Sequence, residues 1–451
     1  MDDDDLAVLG ALGKRVRAHE LEAFLAQGEG CGWCRRPVRL RGYVGTGRGM
    51  APGDNRSTPF TSLALPDGVV LKACGSRREG QCPACARVYR ADARHLVRAG
   101  LAGGKGVDAS VASHPAVLLT LTATSFGAVH AARPDDGPCR PWDGGSRCPH
   151  GRPRTCALRH HRDDSVLGAP LCPDCYDYEG AVLHNACTPE LWRRTTVYVP
   201  RLLARGLGTT QAELRRSLRL SFVRVAELQR RGVVHLHAVV RADVTDDTTP
   251  DLPAGALALA CLRGARAVRV PHPRGLARWG AEVDAQILEP DGGRASRVAG
   301  YVAKYATKSA SDTGVLDRPI TSEEDLASRE LPPHARRMVA AAWRLGADPE
   351  LAALGLRRHA HSFGYGGHFL TKSRRYSTTF GALRRARAEW RAARPGGVPT
   401  PGEDAQARWW AVGIGWADRG EALFAEDRRR GRDEQARAAD EDRYWSSAET
   451  T

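Results

Sequence analysis

Lysine is nearly missing from this chain: of 451 residues only Lys14, Lys72, Lys105, Lys304, Lys308 and Lys372 are lysine. The basic side chains are otherwise arginines, and 67 Lys+Arg against 52 Asp+Glu leave a net charge of +15, which favours a polyanionic partner. Scarce lysine beside abundant Ala and Gly also points to a GC-rich coding genome, so part of this basicity reflects composition. No apolar run approaches the ~20 residues of a membrane span. The start, "MDDDDLAVLG", is acidic where a signal peptide is basic. A cytosolic protein with no membrane partner is expected. A Gly-x-x-x-x-Gly-Lys-Ser/Thr loop is absent too, which excludes a P-loop motor. No internal repeat is found. Cysteine is well represented, with twelve residues, and in a reducing compartment these read as metal ligands before disulfides.

A chain of this length is expected to hold two to four domains. Residues 1–110 read as a helical lead-in followed by a zinc-binding region with "CGWC" and "CPAC", closed by a helix and the glycine-rich "GLAGGKG". Residues 111–310 form the next region. It opens with the buried-strand pattern "HPAVLLTLTATS" and is interrupted at about 135–190 by a Cys/His/Pro/Gly/Asp-rich insertion. A helix at "TPELWRRTTVYVPRLLARGL", a hairpin through "LRLSFVRVAELQRRGVVHLHAVVRAD" and helices at "LPAGALALACLRGARAV" and "GGRASRVAGYVAKYATKSA" complete it. Residues 311–400 read as a helical, basic DNA-binding region broken at "HSFGYGGHF", with 311–360 carrying no functional signal. Residues 401–451 read as a charged tail, solvated helix or disordered. The fold class is α+β: an antiparallel sheet flanked by helices, with a zinc-binding N-terminal region and insertion and a helical C-terminal region.

Chemistry concentrates in "GVVHLHAVVRAD". Strand alternation sends Val234, Leu236, Ala238 and Val240 to one face and His235 and His237 to the other. Satisfied histidines on a half-exposed strand are the bland alternative. Glu227, eight residues before His235 on the paired strand, changes the balance. Two imidazoles and a carboxylate leave open positions on a divalent ion, as catalysis requires. In "RVAGYVAKYATK", Arg297, Tyr301, Lys304, Tyr305 and Lys308 fall in one helical stripe opposite Val298, Ala299, Val302, Ala303 and Ala306. Nearby Lys304 and Lys308 would favour an ionised phenol and hold an anionic substrate. A tyrosine pair covering a core edge is the competing reading.

The His-hydrophobic-His strand followed by "YVAKYATK" resembles the HUH endonucleases, specifically the rolling-circle replication initiators. "YVAKY" looks like the two-tyrosine form of the gene A proteins of isometric single-stranded DNA phages. The chain, with "CPHGRP", "LCPDCYDY", "HSFGYGGHF" and "TKSRRYSTTFGALR", resembles the RepSA-type initiators of actinomycete plasmids over most of residues 30–390. The resemblance implies that His235 and His237 bind Mg²⁺ or Mn²⁺, with Glu227 as third ligand. Tyr305 or Tyr301 would attack the scissile phosphate, leaving a 5′-phosphotyrosine and a free 3′-hydroxyl. The expected partner is plasmid origin DNA, single-stranded at the nick, with a host helicase and polymerase. Interrupting the region between its first strand and the hairpin departs from minimal HUH domains. A conjugative relaxase or HUH transposase, or a non-catalytic zinc-containing regulator, remains as an alternative.

For structural zinc, one or two sites are expected: Cys31, Cys34, Cys82 and Cys85 as one, Cys148, Cys156, Cys172 and Cys175 as the other, with His150, His160 and His161 interspersed in the latter. Cys74, Cys139, Cys187 and Cys261 are left over. Accessory DNA contacts are expected from Arg297, Lys372, Arg374, Arg375 and Tyr376, the tyrosine by base stacking. A solvated basic surface is the alternative there.

Overall fold

Alternating side chains over residues 218–244 produce the hairpin on which the fold is built. Val234, Leu236 and Ala238 are wholly buried on one face of its second strand, while His235 and His237 take the other. A computed structural model describes residues 2–46, 60–133, 135–244, 252–289, 292–308, 318–392 and 405–448. It divides into two units, Met1–Asp92 with Gly381–Thr451, and Ala93–Phe380.

In chain order come helices α1 (Asp3–Arg17) and α2 (Leu21–Gly30), strands β1 (Val38–Thr46), β2 (Phe60–Thr61) and β3 (Val70–Lys72), and helix α3 (Pro83–Ala102). Then follow β4 (Ala116–Ala123), α4 (Tyr178–Gly206), α5 (Gln211–Ser217), β5 (Leu218–Leu228), β6 (Val234–Val244) and α6 (Ala254–Ala267). Next are β7 (Val270–His272), β8 (Gly275–Ala277), β9 (Trp279–Leu288), α7 (Gly292–Lys308), α8 (Glu323–Ser328), α9 (Pro333–Leu345) and β10 (Leu370–Lys372). The chain closes with α10 (Phe380–Ala392), β11 (Ala405–Ile414) and α11 (Arg419–Ala448).

The larger unit is built on a five-stranded antiparallel sheet in the order β10-β5-β6-β4-β9, so the histidine strand is central. Helices α4 and α6 pack together and α6 lies against β4 and β9, where Leu191, Leu257, Cys261, Leu121 and Leu236 share the core. Helix α4 begins at Tyr178, ten residues ahead of the helix expected at "TPELW", because the Asp177 carboxylate caps it by accepting from Gly180 N at 2.8 Å. The chain between β4 and α4 forms no long element, in keeping with its composition.

The expected boundaries at 110, 310 and 400 do not coincide with this division. Residues 405–448, within the stretch expected as a charged tail, form β11, which pairs antiparallel with β1 along its length, and α11, which packs on α1. A pairing between strands that far apart in sequence leaves no local signature. Residues 318–380 belong to the larger unit, where Met338, Val339, Ala342 and Leu351 are buried and β10 pairs with β5. The linker "RPGGVPTPGED" lies outside the described residues, as do residues 309–317. Among the described residues no helix is long and apolar enough to cross a membrane.

Candidate active site and metal centres

Strand register fixes the site. Glu227 of β5 lies directly opposite His235 of β6, and Thr120 of β4 opposite His237. All therefore share a face of the sheet. The Thr120 hydroxyl lies 3.3 Å from His237 Nδ1 and the Thr122 hydroxyl 3.2 Å from His235 Nδ1. That leaves Nε2 of each ring to bind an ion, and His237 Nε2 stands 3.8 Å from Glu227 Oε2. Burial, then the charges of His237 and Arg231, push the His235 imidazole down to about 3, so it stays neutral and able to donate a lone pair. Two imidazoles and one carboxylate fit a divalent cation with positions left for water or substrate. The alternating threonines of "LLTLTA" are the sequence signal for these hydroxyls.

Helix α7 supplies the phenols. Val298, Ala299, Val302 and Ala303 are buried, whereas Tyr301 is 41% exposed. At i and i+4 the two rings are neighbours, centroids 4.8 Å apart, and they lie 5.2 Å (Tyr301) and 4.7 Å (Tyr305) from the His237 ring. The imidazoles, the carboxylate and both phenols thus converge. Burial, a hydrogen bond with Tyr305 and the charges of Tyr305 and Glu227 push the Tyr301 phenol up. Lys304 is exposed, and the Lys308 side chain lies outside the described residues. Arg297 and Tyr301 line an open cleft of about 550 Å³ together with Thr120, Leu118, Gln286 and Val298.

The hairpin turn is held from beneath by Asn185 of α4, wholly buried. Its amide donates to Gly232 O (2.8 Å) and Phe363 O (3.0 Å) and accepts from Val234 N (2.9 Å), which fixes the residue before His235. Arg231 O accepts from Tyr176 Oη at 2.8 Å and lies 3.0 Å from His334 Nε2 of α9. Part of the stretch that carried no functional signal thus braces the hairpin. No sequence pattern marked Asn185 or His334.

Cysteines and histidines gather in three clusters among the described residues, each with its ligand atoms within 4.8 Å of one another: Cys34/Cys74/Cys82/Cys85, His130/Cys139/Cys156/His160 and Cys148/His150/Cys172/Cys175. A tetrahedral zinc with ordinary bond lengths spaces its ligand atoms about 3.3 Å (N–N), about 3.6 Å (N–S) and about 3.8 Å (S–S) apart. In the first cluster Cys34 Sγ lies 3.6 Å from Cys82 Sγ and 3.7 Å from Cys85 Sγ, and Cys74 Sγ lies 3.6 Å from Cys85 Sγ. In the third, His150 Nδ1 lies 3.2 Å from Cys175 Sγ and 3.7 Å from Cys172 Sγ. The clusters can therefore hold zinc.

Their membership departs from the expected sets. Cys31, at the end of α2, turns its thiol to Gly28 O at 3.4 Å and is outside the set, which holds Cys74 instead. Cys156 is not with Cys148, Cys172 and Cys175. It joins His130, Cys139 and His160, and His150 completes the other set. Antiparallel bridges Val129↔Pro170 and Arg140↔Cys156 make this exchange, and spacing alone does not display them.

The expected DNA contacts separate in the same way. Arg297, Arg374 and Arg375 are exposed. Lys372 Nζ donates to Ser373 O and Arg374 O at 3.3 and 3.1 Å, and burial pulls its pKa down. Tyr376 cannot stack on a base: it is wholly buried, donates to Val97 O at 3.2 Å and sits under the Arg241 guanidinium at 5.3 Å.

The larger unit is thus an α+β fold whose central strand faces paired imidazoles toward paired phenols. The chain belongs to the family of RepSA, the replication initiator protein of pSAM2, whose model matches residues 20–430. It is 43% identical to a replication initiator protein of Streptomyces ambofaciens over 352 residues, 74% of this chain and 73% of the relative. No solved structure matches it.

Proposed function

We propose that the chain initiates plasmid rolling-circle replication by nicking, and later rejoining, one origin strand, as an HUH endonuclease with a tyrosine nucleophile. The observation that carries this reading is the convergence of Tyr305 and Tyr301 on His237, with ring centroids 4.7 and 5.2 Å away, beside Glu227 and His235. The three ligand side chains would hold Mg²⁺ or Mn²⁺, which when bound polarises the scissile phosphate and stabilises its developing charge.

The Tyr305 oxygen attacks phosphorus. The phenol gives up its proton as a phosphorus–oxygen bond to the tyrosine forms, the bond to the 3′-oxygen breaks, and the departing oxygen takes up a proton to become a 3′-hydroxyl. Tyr301, which holds its proton and is hydrogen-bonded to Tyr305, supports Tyr305 as the first nucleophile and stands ready as the second. The phosphotyrosine keeps the energy of the broken phosphodiester, so a later hydroxyl attack reseals the strand. Arg297 on the cleft, with Arg374 and Arg375, serves phosphate contact. Single-stranded substrate is needed because a stacked, paired strand does not enter such a cleft. Cytoplasmic host enzymes supply unwinding and extension: a helicase, since no P-loop is present, and a polymerase primed by the 3′-hydroxyl. Cys34/Cys74/Cys82/Cys85 and Cys148/His150/Cys172/Cys175 would each hold a structural zinc.

The test incubates the full chain with single-stranded origin DNA and Mn²⁺ and resolves covalent adducts on denaturing gels. Wild type should form an adduct. Tyr305→Phe should lose most of it, and the Tyr301→Phe, Tyr305→Phe double variant should lose all of it. An adduct that survives in the double variant, or without divalent metal, overturns the reading.

A further inference from the structure

The cluster His130/Cys139/Cys156/His160 matches neither expected zinc set, although Cys156 was expected in the second. His130 Nδ1 and His160 Nε2 are 3.2 Å apart, Cys156 Sγ is 3.6 Å from His160 Nε2, and Cys139 Sγ is 3.9 Å from His130 Nδ1. These separations follow the N–N and N–S edges of a zinc tetrahedron, about 3.3 and about 3.6 Å. Two further features belong to metal sites. The Ala131 amide donates to Cys139 Sγ at 3.3 Å, as a thiolate requires, and Asp164 Oδ2 lies 3.1 Å from His160 Nδ1. The carboxylate fixes the tautomer that leaves His160 Nε2 as ligand. Backbone pairing assembles the four: Cys156 N donates to Arg140 O at 2.9 Å, and Gly168 N to His130 O at 2.9 Å.

The same residues reach the active-site hairpin. Asp164, which orients His160, offers its backbone carbonyl to Arg230 Nη1 at 2.7 Å. Gly168 packs so closely on Arg230 that any Cβ there would overlap its backbone, and at φ +83° only glycine is at ease. Arg230 sits in the turn closed by Gln229 N to Val233 O (3.0 Å), three residues after Glu227 and five before His235.

We propose that His130, Cys139, Cys156 and His160 hold a zinc ion of their own, and that this centre pins the turn of the β5–β6 hairpin through Asp164 and Gly168. The insertion is then a metal-set brace on the strand pair that presents the catalytic ligands. The proposal stands apart from the nicking chemistry, since every readout below is taken without DNA.

Zinc is counted in the intact chain by native mass spectrometry. Cys139→Ser and His160→Ala should each carry one zinc ion fewer than wild type. Amide hydrogen exchange over residues 229–234 should quicken roughly tenfold or more in both, with β4 unchanged. Asp164→Asn keeps all four ligands. It should yield this zinc to a competing chelator at about 10–100-fold lower chelator strength, the usual cost of losing such a partner. Equal zinc counts in wild type and both ligand variants overturn the site. Loss of one ion with unchanged exchange over residues 229–234 overturns the brace.

Discussion

Glu227 approaches His237, Oε2 to Nε2 at 3.8 Å, although its direct cross-strand partner is His235. The carboxylate leans along the hairpin toward the imidazole nearest the phenols, so one cation bound there would join strands β5 and β6 beside the tyrosines of helix α7. Thr120 and Thr122 hold the opposite nitrogen of each ring. Thr120→Val and Thr122→Val keep shape and remove only the hydroxyl. Each should raise the Mn²⁺ concentration for half-maximal nicking by about 10–100-fold, with near-normal rates restored at saturating metal. A drop in maximal rate without a shift in metal dependence would contradict this role.

Membership of the first cysteine cluster separates spacing from structure cleanly. Cys31→Ser removes a thiol that donates to Gly28 O and lies outside the set, whereas Cys74 Sγ is 3.6 Å from Cys85 Sγ. Cys31→Ser should keep the full zinc count by native mass spectrometry, and Cys74→Ser should lose one ion. The reverse outcome would restore the expectation drawn from the two Cys-x-x-Cys pairs.

His184 of α4 is buried among Phe126 and Trp279, and among the described residues its Nε2 has no hydrogen-bond partner. Burial, then the Arg231 charge, push its imidazole down to about 3. The folded chain therefore refuses a proton that the unfolded chain accepts below about pH 6.5, and stability falls as pH drops from there toward 3. The slope attributable to this group is about 1 kcal/mol per pH unit. His184→Phe should flatten it. Urea midpoints at pH 8 and pH 5 should diverge less in the variant than in wild type, and equal divergence would show that His184 does not titrate between the two states.

What the sequence disclosed was whatever periodicity or spacing could encode. Alternation gave the two faces of β6, and the 100° stripe gave both the buried valines and alanines of α7 and the phenols opposite them. Long-range partners had no such signature. The pairing of β11 with β1, the seat of Asn185 under Gly232, and the exchange of Cys156 for His150 all depend on where remote backbone returns. Trp279 begins an edge strand that was not expected, since β9 is polar on one side and follows directly on the short β7 and β8. The candidate site was legible because its residues sit on three regular elements, β5, β6 and α7, and supports such as Asn185 and His334 were not because they come from elsewhere in the chain.

Tyr376 and its arginine neighbours show how one basic-aromatic stretch splits into structure and surface. The Tyr376 ring fills the space over Gly100, lies against the Arg241 guanidinium and donates to Val97 O. Tyr376→Ala should cost about 3–5 kcal/mol of stability, as truncating a buried aromatic does, and Tyr376→Phe about 1 kcal/mol for the hydrogen bond. Neither should change affinity for single-stranded DNA at a temperature where the variant is folded. Arg374 and Arg375 are exposed, so Arg374→Ala and Arg375→Ala should leave the melting temperature within a degree or two of wild type, roughly the effect of a surface change. Each should weaken DNA binding and lower the slope of log affinity against log salt by about 1 if it neutralises one phosphate. Melting curves and salt-dependent anisotropy on the same four variants decide the matter. A Tyr376→Phe protein that melts like wild type yet binds DNA poorly would return the phenol to the nucleic-acid surface.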